Sequence, residues 1–241
     1  MDTIKFDKKN VKMVAHRGLS GIELENTCAA FVAAGNRDYF GIETDVHRTA
    51  DGAYVVIHDD NTARVAMENI SVEGSTLEQL QKIALKDKDG NARSDLRIPT
   101  LAEYLKICAK YGKICVLELK NEFPKEDVAN ILAIVKEHMD LDGIIFISFC
   151  YQNMIWLREL EKEAKLQFLL GGNAQVDEAM VEKLKAYRLD LDINWRALSK
   201  EGIDLLHENG IEVNAWTVDD PAMGEQLAAW GIDYITSNIL Q

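Results

Sequence analysis

The sequence has little proline, no long apolar run and no apolar segment at its start. Only three of its 241 residues are proline and 47% are hydrophobic, which excludes intrinsic disorder as a description of the whole chain. No stretch approaches the roughly 18 uninterrupted apolar residues of a membrane span, so we expect no stable membrane insertion. Residues 1–5 lack the apolar core of a secretory signal, and the sequence therefore predicts a cytoplasmic protein.

Basic residues are also in the minority. The chain carries 27 Lys and Arg against 40 Asp and Glu, a formal net charge of −13. A surface that follows nucleic-acid phosphates needs a basic stripe, whereas these basic residues are scattered among acids. We therefore expect no nucleic-acid partner, and any anionic substrate must be bound by a few local positive groups.

The four cysteines show no paired short spacing of the kind that binds zinc or exchanges disulfides. They are Cys28, Cys108, Cys115 and Cys150. We expect small, buried and reduced side chains.

Short apolar runs alternate with longer segments whose apolar residues recur every three or four positions. This pattern is typical of strands alternating with amphipathic helices. The predicted strands are residues 11–16, 40–46, 114–119, 144–149, 166–170, 189–194, 211–217 and 234–237. A turn at Asp51-Gly52 leads from the second strand into a further extended run, residues 53–58.

Each later strand is preceded by a predicted helical segment, and the first half of the chain gives bounds for two helices and one irregular segment. The first helix is expected over residues 25–35, with Gly35 as a left-handed C-cap. Pro99-Thr100 begins a helix that runs to Tyr111, and residues 60–97 are expected to be a short, polar and irregular insertion.

Eight strand–helix units in this length predict a closed (β/α)₈ TIM barrel that spans residues 1–241 as a single domain. An open doubly wound sheet is the alternative fold. The first strand is not followed by a glycine-rich dinucleotide loop, which weakens that alternative.

Acidic residues stand where two neighbouring strands end. The period of two along a strand points Glu43 and Asp45 to the same face, and Glu118 lies at the matching level of the next predicted strand. Three carboxylates in one barrel mouth repel each other unless a cation lies among them. Oxygen ligands favour Mg²⁺ or Ca²⁺ over zinc. The alternative is a set of solvated or salt-bridged strand ends.

Histidine, arginine and lysine residues also lie at the carboxyl ends of predicted strands. His16 and His58 are candidates for complementary acid and base roles, and the alternative is structural hydrogen bonding. Arg17 and Lys120 can bind phosphate oxygens or balance the acid cluster. His47 lies two positions after Asp45, so its side chain is expected on the same face as those of Glu43 and Asp45. It is a candidate substrate contact.

Trp216 stands at the end of the seventh predicted barrel strand. Its large side chain can form one wall of the pocket, and the alternative is that it packs in the core.

The order of these motifs resembles the glycerophosphodiester phosphodiesterase family over nearly the whole chain. The motifs are His16-Arg17-Gly18, Glu25-Asn26-Thr27, Glu43-Thr44-Asp45, Asp51-Gly52, His58-Asp59, Pro99-Thr100-Leu101, Glu118-Leu119-Lys120 and Ala215-Trp216-Thr217-Val218. The resemblance implies a TIM barrel that hydrolyses small-molecule glycerophosphodiesters to an alcohol and sn-glycerol 3-phosphate, as part of lipid and glycerol metabolism. It also implies one divalent cation, Mg²⁺ or Ca²⁺, with Mn²⁺ as a further candidate, and no particular oligomeric state.

The resemblance also implies roles for individual residues. Glu43, Asp45 and Glu118 correspond to metal ligands, and His16 and His58 to the catalytic acid–base pair. Arg17 and Lys120 correspond to phosphate binders, Trp216 to the aromatic on the glycerol side, and Glu25 and Asn26 to braces of the mouth.

Two positions depart from the family pattern. Ser148-Phe149 is followed by Cys150 where the family has a polar residue, and the last strand closes with Thr236-Ser237-Asn238 where the family has Thr-Asp. Two other functions stay open at this point. One is a phospholipase-type phosphodiesterase acting on lipid head groups, and the other is a non-catalytic barrel that binds a phosphate metabolite.

Overall fold

The apolar runs form parallel strands whose two faces are both covered, as their near-continuous hydrophobicity requires. In a computed structural model of the protein, the residues described are 2–87 and 89–241. Met1, at the start considered above, and Lys88, inside the expected insertion, lie outside them. The strands are β1 (Lys12–Ala15), β2 (Gly41–Arg48), β3 (Tyr54–Val56), β4 (Leu85–Lys86), β5 (Ala92–Arg93), β6 (Ile114–Leu119), β7 (Ile144–Ser148), β8 (Lys165–Leu170), β9 (Asp190–Asn194), β10 (Val213–Trp216) and β11 (Tyr234–Ser237).

Eight of these strands close into a parallel ring in the order β1-β2-β6-β7-β8-β9-β10-β11, with β11 paired back to β1. The ring confirms the predicted (β/α)₈ TIM barrel. β3 lies outside it, antiparallel to the end of β2, with Val46 opposite Val56. Each predicted barrel strand is present, with bounds shifted by at most two residues.

Helices cover the outside of the barrel. They are α1 (Cys28–Gly35), α2 (Leu77–Lys82), α3 (Leu101–Tyr111), α4 (Lys125–His138), α5 (Tyr151–Leu160), α6 (Glu178–Lys185), α7 (Lys200–Glu208) and α8 (Pro221–Trp230). α2 belongs to the insertion, so within the described ranges the ring's strands are joined by the seven others, and β11 is followed by residues 238–241. None of the described helices has the length and apolar character needed to cross a bilayer.

α1 begins and ends differently from the prediction. Thr27 caps its first turn by accepting a hydrogen bond from the Ala30 amide, so the helix starts at Cys28. The expected left-handed cap at Gly35 is wrong, because the helix is capped by Asn36, whose φ is −79°. Gly35 is instead a site of close packing, where an added Cβ would lie 2.6 Å from the ring of Tyr111.

The residues between β3 and α3 are more ordered than the expected irregular stretch. They contain α2, whose N-terminus has a capping box formed by Thr76 and Gln79, and the small antiparallel pair β4 and β5. The buried apolar side chains of this region form a second core with β3, made of Val55, Ile57, Val65, Ala66, Val72, Leu80, Ile83, Leu85, Leu96 and Ile98. The expectation was wrong because these apolar residues are mostly spaced singly among polar ones.

The barrel interior combines an apolar middle with charged residues. A small cluster that includes Val14, Val116 and Leu169 fills the middle. At the amino ends of the strands, Glu212 pairs with Lys12 at 3.4 Å and also with Lys165. Paired charges therefore form the opposite end of the barrel.

The four cysteines are free thiols, as expected. Cys108 and Cys115 are buried. Cys28 and Cys150 are only half-buried, which differs from the burial expected of all four.

Candidate active site

A pocket of about 220 Å³ lies at the carboxyl ends of the barrel strands, where sites of this fold form. It is lined by His16, Arg17, Glu43, His58, Glu118, Ile147, Phe149, Leu169, Asp192, Trp216 and Thr236. Most of the residues singled out in the sequence therefore share one cavity.

The turn after β1 brings His16 and Arg17 into this cavity. Arg17 and Gly18 both have left-handed backbones, with φ of 55° and 76°, and an added Cβ at Gly18 would lie 2.7 Å from Ala30. A positive φ is unfavourable for a residue such as arginine, and such strain is found at functional sites. Here the turn also directs the Arg17 amide to donate a hydrogen bond to Glu43 Oε2 at 2.8 Å.

Glu43, Asp45 and Glu118 converge as the strand parity predicts, and we call them the carboxylate cluster. Asp45 of β2 is directly opposite Glu118 of β6 in the parallel register. One oxygen atom from each of the three side chains lies within 4.8 Å of the others, and all three residues are buried.

Hydrogen bonds on the outer side fix the orientation of Asp45. Asn26 donates from Nδ2 to Asp45 Oδ2 at 2.7 Å and accepts from the Thr44 hydroxyl at 2.6 Å. Asn26 has a left-handed backbone, with φ of 52°, which explains why α1 starts after it. The other oxygen of Asp45, Oδ1, and Glu118 Oε1 are buried, and within the described residues their contacts are ion pairs with Lys120 Nζ at 3.5 and 3.0 Å.

Burial and mutual repulsion disfavour the charged forms of the three carboxylates in the cluster. Burial, followed by the charge of Asp45, raises the pKa of Glu43 well above its usual value and that of Glu118 to about 8. Burial opposes ionisation of Asp45 too, but Arg17 and Lys120 outweigh it and hold the pKa of Asp45 below its usual range. One carboxylate is therefore charged, and the other two resist ionisation beside it.

This donor set fits a hard divalent cation. Its candidate ligand atoms are buried carboxylate oxygens only, and their mutual repulsion, which Lys120 offsets only in part, is one that a divalent cation would relieve. The cluster can thus bind a metal ion.

The two predicted phosphate binders have different positions. Arg17 lines the pocket, and its NH1 donates to Glu25 Oε1 at 2.9 Å. Its Nε is buried, lies 3.6 Å from Asp45 Oδ2 and donates no hydrogen bond to any of the described residues. Lys120 is not among the pocket-lining residues, and its Nζ lies 3.0 Å from Glu118 Oε1 and 3.5 Å from Asp45 Oδ1. The observed contacts of Lys120 are therefore those of charge balance.

His16 and His58 both line the pocket and differ in their Nδ1 partners. His16 Nδ1 lies 2.8 Å from Asn238 Oδ1, whereas His58 Nδ1 lies 2.6 Å from Asp59 Oδ1. Burial, and then the charge of Arg17, lowers the pKa of His16 to about 4. Burial also lowers the pKa of His58, although the charge of Asp45 and the Asp59 contact oppose that effect.

The insertion holds His58 in place through Arg64. This arginine donates from Nε to Asp59 Oδ2 at 2.7 Å and from its terminal nitrogens to both oxygens of Glu25. Glu25 therefore links the Arg17 turn to the insertion, in agreement with its expected bracing position.

Sequence reasoning missed several residues of the pocket. Asp192 of β9 and Thr236 of β11 line it, and Phe149 packs edge-on against Trp216 with ring centroids 5.7 Å apart. The alternation of apolar and acidic residues along residues 189–193 was the available signal for a polar inner face on β9.

His47 lies behind the pocket wall. Its side chain is fully buried, with Nδ1 3.4 Å from Glu73 Oε1 and Nε2 3.4 Å from the His58 carbonyl oxygen. β2 is paired with β3 at this point, with His47 opposite Val55, so the side chain is enclosed by the hairpin and the insertion. This corrects the expectation that His47 contacts substrate.

Comparison with known proteins gives one consistent result. The model of the glycerophosphoryl diester phosphodiesterase family matches residues 16–240. YhdW of Bacillus subtilis strain 168, named as a glycerophosphodiester phosphodiesterase, is 32% identical over 233 residues, which cover 94% of this chain and 93% of YhdW. A glycerophosphodiester phosphodiesterase of Caldanaerobacter subterraneus is 29% identical over 229 residues, covering 94% of this chain and 93% of that protein.

Solved structures show the same fold. A phosphodiesterase of Oleispira antarctica, determined in complex with the product sn-glycerol-3-phosphate, superposes with a TM-score of 0.87 at 24% identity over 98% of this chain and 96% of that one. A glycerophosphodiester phosphodiesterase of Parabacteroides distasonis gives 0.77 at 26% identity over 95% and 93% of the two chains.

Proposed function

Because the chain belongs to the glycerophosphoryl diester phosphodiesterase family, we propose that it hydrolyses glycerophosphodiesters to an alcohol and sn-glycerol 3-phosphate. The observation that carries this proposal is the pocket itself, where two histidines and an arginine line the same cavity as members of the carboxylate cluster. Such a set combines charge neutralisation with proton transfer, which are the two needs of phosphodiester cleavage.

We assign Glu43, Asp45 and Glu118 as ligands of one divalent cation, Mg²⁺ or Ca²⁺, with Mn²⁺ as a further candidate. When bound, that cation would withdraw electron density from the phosphate oxygens and offset the negative charge of the cluster. The hydrogen bonds from Asn26 to Asp45 and from the Arg17 amide to Glu43 hold one oxygen of each side chain and leave the other to ligate.

Arg17 is the principal phosphate binder in this proposal. Its guanidinium lines the pocket, and a planar fork whose Nε makes no hydrogen bond matches the non-bridging oxygens of a phosphodiester. Lys120 adds positive charge beside the cluster, and Trp216 forms an aromatic wall for the glycerol portion.

The partner of His16 suggests its role. Asn238 Nδ2 donates to Asp219 Oδ2 at 2.6 Å, which turns the Asn238 carbonyl oxygen toward His16 Nδ1. Nδ1 of His16 must then carry a hydrogen, and its neutral ring has a lone pair on Nε2. We therefore propose His16 as the base that accepts the proton of the attacking hydroxyl.

His58 has a carboxylate on its Nδ1, which favours the protonated ring. We propose that His58 donates its proton to the alcohol oxygen as the phosphorus–oxygen bond breaks. The attacking hydroxyl is either water or the neighbouring hydroxyl of the glycerol moiety, and trapping of a cyclic glycerophosphate during turnover would identify the second route.

A coupled assay for glycerol 3-phosphate tests the proposed function. The substrates are the glycerophosphodiesters of choline, ethanolamine, glycerol and inositol, each with added Mg²⁺, Mn²⁺ or Ca²⁺ and with a chelator. Turnover that the chelator abolishes and the metal restores is the expected result.

Three outcomes would contradict the proposal or part of it. No product from any ester would favour a non-catalytic phosphate-binding barrel, and cleavage of phospholipids in vesicles instead of soluble diesters would favour the phospholipase alternative. A rate insensitive to chelator would contradict the assignment of the carboxylate cluster. The cytoplasmic location and the role in lipid and glycerol metabolism stay predictions.

A further inference from the structure

Asp192 is a pocket-lining carboxylate outside the carboxylate cluster. It lies on β9, opposite Leu169 of β8 and Asn214 of β10 in the parallel register. In the eight-stranded ring β9 is four strands away from β2 in either direction, so Asp192 faces the Glu43 and Asp45 side of the barrel from across the mouth.

The side chain of Asp192 is a buried carboxylate whose hydrogen bonding is incomplete. The residue is 2% exposed, and its Oδ1 has no hydrogen-bond partner among the described residues, 2–87 and 89–241. A buried polar atom without a partner is costly, and native proteins rarely keep one without a reason. Since Asp192 lines a pocket, a bound ligand is the natural source of the missing hydrogen bond.

The surroundings of Asp192 favour an uncharged polar ligand group. Leu169 and Ile147 make part of the wall apolar, while the neighbouring acid Glu118 disfavours an anion. Trp216 also lines the pocket, and its indole Nε1 is buried and finds no acceptor in the part of the chain that the structure describes. Asp192 and Trp216 therefore offer two unsatisfied polar groups of the kind that a hydroxyl satisfies, because a hydroxyl both donates and accepts.

A glycerophosphodiester presents two different ends to such a cavity. The phosphate must lie near Arg17 and the carboxylate cluster, and the cavity of about 220 Å³ is small. The glycerol half is small, neutral and common to every substrate of this class, whereas the alcohol half varies in size and charge. The enclosed side that carries Asp192 therefore suits the glycerol half.

We propose that Asp192 recognises the terminal free hydroxyl of the glycerol moiety and so determines specificity for glycerol-based diesters. This inference rests on the proposed function. It makes Asp192 a residue that touches substrate at a point distant from the bond that breaks.

The test compares glycerophosphocholine with its analogue that lacks only the terminal hydroxyl, 2-hydroxypropyl phosphocholine. This analogue keeps the phosphate, the choline and the hydroxyl next to the phosphate, and choline release measures both reactions. We expect the wild-type kcat/KM for the analogue to be lower by about tenfold or more, since a site built for a hydroxyl rejects a substrate without one. Asp192→Leu should lower kcat/KM for glycerophosphocholine by a similar factor and leave the analogue almost unchanged.

Two further variants separate loss of the hydroxyl contact from general damage to the pocket or to the fold. Leu169→Ala changes the neighbouring pocket wall without removing a hydrogen bond, and it should lower both rates by a common factor. Asp192→Asn keeps a hydrogen-bonding group of the same shape, so it should preserve most of the discrimination even if Asp192→Leu does not fold.

Several results would overturn the inference. A wild-type enzyme that cleaves both compounds equally well would do so, as would an Asp192→Leu variant that retains the full discrimination. A fall in kcat/KM for glycerophosphocholine but not for glycerophosphoglycerol in Asp192→Asn would show instead that Asp192 binds the cationic head group. If the wild type cleaves no glycerophosphodiester at all, it is the proposed function that has failed.

Discussion

The imidazole Nδ1 of His16 lies 2.8 Å from the side-chain oxygen of Asn238, which follows the neighbouring strand of the ring. Asn238 is itself held by Asp219, which accepts hydrogen bonds from its side-chain amide at 2.6 Å and from its backbone amide at 2.8 Å. The segment where the chain departs from its family's usual Thr-Asp ending thus helps to orient a candidate catalytic histidine.

Replacing Asn238 is expected to slow turnover without weakening substrate binding. Asn238→Ala removes the acceptor that fixes the ring and its tautomer, so kcat should fall by about 10 to 100-fold while KM changes little. Ser20→Ala is the matched control, because the Ser20 hydroxyl lies 2.7 Å from the same Asn238 oxygen but is not bonded to the imidazole. Steady-state kinetics on glycerophosphocholine measure both, and equal losses in the two variants would contradict a specific role for Asn238.

Loss of either candidate catalytic histidine should remove most of the activity and leave the fold intact. His16→Gln and His58→Gln are each expected to lower kcat by about 10² to 10⁴-fold, the usual contribution of general acid–base catalysis. His138→Gln, in the last turn of α4 and away from the pocket, should retain full activity. Near-normal turnover by either of the first two variants, with thermal unfolding as the folding check, would refute the acid–base assignment.

Removal of one acid of the cluster should weaken metal binding. Glu118→Gln replaces a buried carboxylate, so we expect the Kd for Mn²⁺ or Ca²⁺ to rise by about tenfold or more in titration calorimetry. Glu122→Gln removes an exposed acid a few residues further along the chain and should leave that Kd unchanged. An unaltered Kd in Glu118→Gln would show that the ion, if it binds, lies elsewhere.

The metal-free protein is expected to lose stability as the pH rises from 6.5 to 8. Burial and Asp45 raise the pKa of Glu118 from 4.5 to about 8, so in this range the folded chain holds a proton that the unfolded chain has lost. The free energy of unfolding should then fall by up to about 1 kcal/mol per pH unit for this group. His16 acts in the opposite sense and at lower pH, because its lowered pKa of about 4 reduces stability as the pH falls below 6.5.

Urea unfolding with chelator present, at several pH values between 6.5 and 8, measures this slope. Glu118→Gln should make it less steep and Glu122→Gln should not, since only the first removes one of the two buried acids of the cluster whose pKa is raised. Stability that instead rises with pH in the chelated wild-type protein would contradict the protonated state of Glu118.

Strand parity predicts only part of the carboxylate cluster. It places Glu43 and Asp45 on one face of β2, and the register of β2 with β6, seen in the structure, sets Glu118 opposite Asp45. His16 and His58 were predictable for another reason, because each directly follows an apolar run.

The remaining site residues depend on distant contacts that local patterns do not contain. Asn238 acquires its role only when β11 pairs with β1 and brings it to His16, and Asp192 becomes notable only because its Oδ1 has no partner among the described residues. Gly35 was misread as a helix stop, although its small size is needed against Tyr111, which lies far along the chain.

His16 and His58 are held by different parts of the fold, because only His58 is tied to the second core. His16 follows a strand of the closed ring, whereas His58 follows β3 and is tied by Asp59 and Arg64 to a layer with its own apolar packing. A chain that loosens this layer first keeps its three acids in place and can still hold an ion, but it no longer presents the proton donor. Where mild heating loosens this layer before the ring, activity should be lost before an ion held by the three acids is released.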